Sequence, residues 1–208
     1  MSDKEDRRRE PFVTVSAIAV PIEQPNVDTD QIIPARFLAL PRDEMAPHLF
    51  RDVRTNDDGS PKPEFVLNKP DYKGAEVLVA DRNFACGSSR EMAVTVLQDN
   101  GIKVVIAPSF GDIFHNNCYQ NGVLPVVLPA ERCAEIRAHL TRSPGARMTI
   151  DLEAQTVTGP DNWTAKFEID SFRKDCLLKG QDDITFTLGH EAQIAAFEAR
   201  SKAEGGWI

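Results

Sequence analysis

Ala75-Glu76-Val77-Leu78-Val79-Ala80-Asp81-Arg82-Asn83-Phe84-Ala85-Cys86-Gly87-Ser88-Ser89-Arg90-Glu91-Met92 is the stretch on which the fold turns. Ala75 to Ala80 has the composition of a short buried strand, and Asp81 to Gly87 that of a polar loop. Ser88-Ser89-Arg90-Glu91 then opens a helix whose apolar face is Met92, Ala93, Val96 and Leu97, with Asn100-Gly101 as its stop. The alternation repeats downstream. Val104 to Ala107 is a second strand, Asp112 to Gln120 a helix stopped by Asn121-Gly122, Leu124 to Leu128 a third strand and Ala130 to Leu140 a further helix. Strands separated by helices predict a parallel sheet with right-handed crossovers.

Upstream, Phe12 to Ile22 is rich in Val and Ile, alternates with Thr14 and Ser16, and predicts a strand ending at Pro21. Asn26 to Leu38 gathers Asx and Thr side chains that fold back on local backbone, which predicts a turn. Leu40 to Gly74 carries Pro41, Pro47, Pro61, Pro63 and Pro70, and a connection of that length is either functional or disordered. Beyond Gly145, Met148, Ile150 and Leu152 alternate with Thr149 and Asp151. Thr156 to Thr158 and Ala165 to Ile169 follow as further β structure, before closing helices at Ser171 to Lys179 and Glu191 to Lys202. There is no internal repeat. The expectation is an α/β fold with extra β strands, in one domain over residues 1–208.

Composition narrows the function. The 208 residues carry 24 basic and 32 acidic side chains, a net charge of −8, which gives no general electrostatic reason to hold nucleic acid or an anionic membrane. Apolar runs reach only about six residues, against the roughly 20 needed to span a bilayer. Cys86, Cys118, Cys133 and Cys176 form no Cys-x-x-Cys pair, and His115 with Cys118 has no second pair, so the chain has no zinc or iron-sulfur signature of its own. Residues 1–10 mix both charges, do not resemble a secretory signal and predict a frayed end; cytoplasmic residence with reduced thiols is the expectation.

Chemistry concentrates at Asn83 to Glu91. In open α/β sheets ligands bind beyond the carboxyl ends of the strands. There, free N–H groups at a helix start attract an anion, Gly87 permits close approach, and Arg90 offers a planar fork to a carboxylate or phosphate. Ser88-x-x-Glu91 also fits a capping box, which stabilises a helix start without any ligand. Both readings stand on the local residues. The segment lacks the spacing of a phosphate-binding nucleotide loop or of a nucleophile elbow, and Ser88 has no evident His partner. A serine hydroxyl that acts as a base must be acidified by clustered N–H donors and a guanidinium in a dry site.

Together, Asn83 to Glu91, Asn26 to Leu38, Val104-Val105-Ile106-Ala107-Pro108-Ser109-Phe110 with Asp112-Ile113-Phe114, and Phe65-Val66-Leu67-Asn68-Lys69-Pro70 resemble the small-subunit family of 3-isopropylmalate dehydratase. That family is the swivelling β/β/α domain of the aconitase C-terminal type, made as a separate chain. The resemblance implies that Ser88 is the base removing a proton next to a carboxylate. It implies that Ser89 and Arg90 hold substrate carboxylate, that Thr29 and Asp30 line the cleft, and that Arg36 reaches substrate. Without it, Arg36 would be a solvated surface residue, and Asp28 and Asp30 turn formers. Where relatives usually have histidine this chain has Met92, which on a helix face fills core.

The implied reaction interconverts 2-isopropylmalate and 3-isopropylmalate by dehydration and rehydration in leucine biosynthesis. The resemblance implies a large-subunit partner whose three cysteines hold a 4Fe-4S cluster that draws off hydroxide, with no metal bound by this chain. The long connection from Leu40 to Gly74 is the candidate for reading the isopropyl group. Two alternatives remain on the sequence: a hydro-lyase subunit for citramalate or homoaconitate, and an anion-binding module in which Ser88 only caps its helix.

Overall fold

The computed structural model describes residues 10–88 and 90–205. The expectations for residues 1–9 and for Ser89 therefore fall outside the described residues. The strands are β1 (Thr14–Pro21), β2 (Val77–Val79), β3 (Val104–Ala107), β4 (Leu124–Val127), β5 (Arg147–Asp151), β6 (Thr156–Thr158) and β7 (Thr164–Lys166). They form one seven-stranded sheet in the order β4-β3-β2-β1-β5-β6-β7. β1 joins its two halves. Ala19 to Pro21 pair in parallel with β2, which continues in parallel through β3 to β4, while Thr14 to Ile18 pair antiparallel with β5. β5, β6 and β7 continue antiparallel, and they supply the further β structure expected beyond Gly145.

Both faces of the parallel half are covered. Val20, Leu78 and Val105 point into a core shared with α4 (Met92–Asp99) and α5 (Asp112–Asn121), through Ala93, Val96, Leu97, Phe114 and Cys118. Their neighbours Ala19, Val77, Val79, Val104 and Ile106 pack on the opposite face against Cys133, Ile136 and Leu140 of α6 (Ala130–Arg142). This is why these strands read as continuous apolar runs rather than alternating ones. Gly122 ends α5 in the left-handed conformation at φ 75°, satisfying the last carbonyls as the Asn-Gly signal requires.

Four local details refine or differ from the sequence reading. The helix after β2 starts at Met92, not Ser88, and its first residues are held by turn bonds from Ala93 to Arg90 and from Val94 to Glu91. The Asn26–Leu38 turn contains a single helical turn, α1 (Thr29–Ile32), capped by the Asp28 carboxylate accepting from the Gln31 N–H at 2.8 Å. The connection 40–74 is ordered, with α2 (Arg42–Met45), α3 (Arg51–Arg54) and 3₁₀ turns at Ala46–His48, Val66–Asn68 and Pro70–Tyr72. The C-terminal region holds α7 (Ser171–Lys179), α8 (Asp183–Leu188) and α9 (Glu191–Ala203). α8 was not foreseen; its signal is Asp182, whose side chain accepts from the Thr185 N–H. Among the described residues no helix is long and apolar enough to cross a membrane.

Candidate active site

The carboxyl ends of β1, β2 and β3 deliver three segments to one place. The Ile22 N–H donates to Val79, carrying the chain past β1 toward Asn26, whose own N–H donates to Arg82. Cys86 then forms a parallel bridge with Asp28, and Phe84 a parallel bridge with Phe110. The loop after β2 thus lies as a short extension of the sheet between the other two segments. To do so it adopts left-handed backbone at Asn83 (φ 56°), Ala85 (φ 56°) and Gly87 (φ 90°), which is costly for Ala and free for Gly. Asn83 is fixed at both ends, its N–H donating to Ser109 Oγ at 2.8 Å and its amide to Asn26 Oδ1 at 3.0 Å.

Gly111 explains how the loop fits. A Cβ there would stand 2.4 Å from the Ala85 carbonyl oxygen and 3.2 Å from Cys86 Cα, so the backbones touch only because the side chain is absent. Gly111→Ala should cost about 1–3 kcal/mol of stability through forced backbone displacement. Denaturant titration checks this as a lower midpoint at unchanged slope.

The expected site residues fall into one cluster and one outlier. Thr29 is buried, its N–H donating to the Cys86 carbonyl at 3.1 Å and its hydroxyl to the Ser88 carbonyl at 3.1 Å. Thr29 therefore holds the Ser88 backbone rather than facing solvent. Arg90 lies mostly buried, its side chain 14% exposed against 56% for Asp30. Its Nη1 donates to Asp30 Oδ1 at 2.5 Å and to the Ile33 carbonyl at 3.4 Å, and its Nη2 donates to Asp30 Oδ2 at 3.0 Å. These bonds hold the Asp30 carboxyl below its usual pKa against a smaller opposing effect of burial, with help from the Ala35 N–H. A guanidinium has five N–H donors. Three are spent here, which leaves the Nε and Nη2 edge as a fork for a second carboxylate.

Ser88 is exposed, and α4 begins at Met92 with Glu91 in the cap position making no side-chain cap bond. The capping box is thus absent, and Glu91 instead accepts from the Asn121 amide at 3.1 Å. Among the described residues the N–H groups of Gly87, Ser88, Arg90, Glu91 and Met92 find no protein acceptor. N–H donors without an acceptor at a helix start favour negative charge on a nearby oxygen. Met92 packs against the core beneath, as its helix position suggests.

Arg36 is the outlier. It forms a bidentate pair with Asp52 of α3 and lies over the Phe37 ring, 4.6 Å from its centroid. Among the described residues no hydrogen bond or ion pair joins it to the Ser88 cluster. Asp52 was missed because nothing local marks a carboxylate 16 residues away as its partner. Nor do three His, Cys, Asp or Glu side chains gather as metal ligands among the described residues. Buried Cys118 and Cys133 are held as thiols, burial pushing the Cys133 pKa up to about 11.

The aconitase C-terminal domain model matches residues 9–131 and a LeuD_N model matches residues 134–171. The 3-isopropylmalate dehydratase small subunit of Paramagnetospirillum magneticum is 48% identical over 200 residues, covering 96% of this chain and all of that one. The small subunit of Jannaschia sp. is 50% identical over 198 residues, covering 95% and 98%. The solved 3-isopropylmalate dehydratase chain from Methanocaldococcus jannaschii superposes with TM-score 0.65 at 28% identity, covering 88% of this chain and 99% of that one.

Proposed function

This chain belongs to the aconitase C-terminal domain family, among the 3-isopropylmalate dehydratase small subunits, and from that premise we propose that Ser88 is its catalytic base and Arg90 its carboxylate clamp. It acts with a large subunit in a hydro-lyase of leucine biosynthesis, interconverting 2-isopropylmalate and 3-isopropylmalate. The observation that carries the reading is the lock between two segments about 60 residues apart. Thr29 and Asp30 hold Cys86, Ser88 and Arg90 through the Cys86 carbonyl, the Ser88 carbonyl and a two-point ion pair.

In this reading the Arg90 side edge takes a substrate carboxylate and fixes the adjacent C–H toward Ser88 Oγ. The free N–H groups and the guanidinium lower the cost of an alkoxide at that oxygen, which accepts the proton. Asp30 orients Arg90 and stays ionised at neutral pH. Ser89 belongs to the same clamp by its position in the motif. A 4Fe-4S cluster held by the large subunit supplies the Lewis acidity that helps hydroxide leave. Closure of the two chains excludes water and aligns the reacting groups. The enzyme is cytoplasmic, and residues 10–88 and 90–205 belong to one swivelling domain.

The connection 40–74 reads the substrate side chain. Phe50, Val53 and Phe65 line an apolar cleft of about 210 Å³ that they share with Val27 and Gln31 of the site segment. An isopropyl group matches that lining, and its walls favour it over the smaller methyl of citramalate. Arg36 reaches substrate only by leaving Asp52.

The test is reconstitution of this chain with its large subunit and assay against 2-isopropylmalate, citramalate and homoaconitate. Turnover should be greatest with 2-isopropylmalate and absent from either chain alone; preference for another acid would reassign the substrate. Asp30→Asn frees Arg90 from its ion pair, and should reduce kcat/KM about tenfold, chiefly through KM. Steady-state kinetics of the reconstituted variant checks this.

A further inference from the structure

We propose that the cleft lined by Leu67-Asn68-Lys69-Pro70 binds a small organic carboxylate with a short aliphatic body. The cleft measures about 580 Å³, within the usual range for a small-ligand site. It lies at the opposite end of the parallel strands from Ser88, since Ala75 and Ile102 at its floor precede β2 and β3. Its charged lining is Arg54, Lys69 and Lys73, with no carboxylate among the residues that line it. In a chain of net charge −8, an uncompensated cationic cleft is the reverse of the average surface.

Arg54 is half-buried, and burial alone pulls its pKa down, with no acid acting on it. Ionised groups taken out of water are normally paired. Here the sole side-chain partner among the described residues is neutral: Arg54 Nε donates to Asn68 Oδ1 at 2.8 Å. Both amide donors of Asn68 are committed, to the carbonyls of Arg54 and Lys62 at 2.8 Å each. The guanidinium is therefore oriented by its Nε, while both terminal nitrogens lack a protein acceptor among the described residues. That is the fork a carboxylate fills. Neither Lys69 nor Lys73 has an ion-pair partner among the described residues. Leu49, Leu67 and Ile102 supply apolar wall for the aliphatic part.

The experiment is amide NMR of the full 208-residue chain titrated with isovalerate, inorganic phosphate and isoamyl alcohol. Isovalerate should give saturable shifts at Asn68, Lys69, Gly74 and Ile102, with the alcohol giving none and phosphate binding more weakly. Arg54→Gln should weaken isovalerate about tenfold, and Lys69→Gln or Lys73→Gln about threefold each, while Arg90→Lys leaves it unchanged. If Arg54→Gln fails to fold, the exposed Lys69→Gln/Lys73→Gln double variant decides. Shifts confined to residues 26–36 and 83–92, or affinity unaffected by the cleft variants, would overturn the site. Phosphate matching isovalerate would overturn its organic ligand. Displacement of isovalerate by the large subunit would give the cleft to the partner.

Discussion

Ser88→Ala should lower kcat of the reconstituted two-chain enzyme at least about a thousandfold, the upper part of the range for a removed general base. A serine hydroxyl is far too weakly acidic to be ionised at neutral pH in water, so its surroundings must supply the difference. This site offers the N–H groups of Gly87, Ser88, Arg90, Glu91 and Met92, which have no protein acceptor among the described residues, and the Arg90 guanidinium two residues on. Such charges would gain strength on the proposed closure against the large subunit, because the local dielectric falls where water is removed. Folding should be nearly untouched. The Ser88 side chain is exposed and caps nothing, so alanine there should change stability by no more than about 0.5 kcal/mol. Parallel measurement of kcat and of the unfolding midpoint separates the roles. Retained turnover removes Ser88 from the chemistry, and lost folding restores a structural role.

Arg90→Lys should cost about 100-fold in kcat/KM although it conserves charge. An ammonium carries only three donors on one atom and cannot bond Asp30 at two points while presenting a second planar edge. The loss should fall on kcat and KM together, since in the proposed roles the clamp would both bind substrate and aim its C–H at Ser88. A small effect would mean that the substrate carboxylate is held elsewhere.

The parallel half of the fold was legible because burial on both faces writes itself locally. Val77 to Val79 and Val104 to Ala107 are unbroken apolar runs, and Gly101 and Gly122 stand where left-handed stops are needed. What escaped depends on distant partners. The connection 40–74 is held partly by the Tyr72 hydroxyl donating to the Leu140 carbonyl and by Asn68 binding Arg54 and Lys62, neither visible in a window of sequence. The start of α4 moved because Ser88 and Glu91 answer to Thr29 and Asn121 rather than to each other. The candidate site was legible as residue types at a strand-to-helix junction. Its division of labour was not: Thr29 serves backbone, Asp30 serves Arg90, and Arg36 is engaged by Asp52.

The structure of the two chains joined around 3-isopropylmalate is the most direct measurement of the central claim. It should place Ser88 Oγ within about 3.5 Å of the carbon that loses its proton, with the Arg90 Nε and Nη2 edge on the neighbouring carboxylate. Ser88 Oγ turned away from that carbon, with another group of either chain in reach of it, would contradict the account.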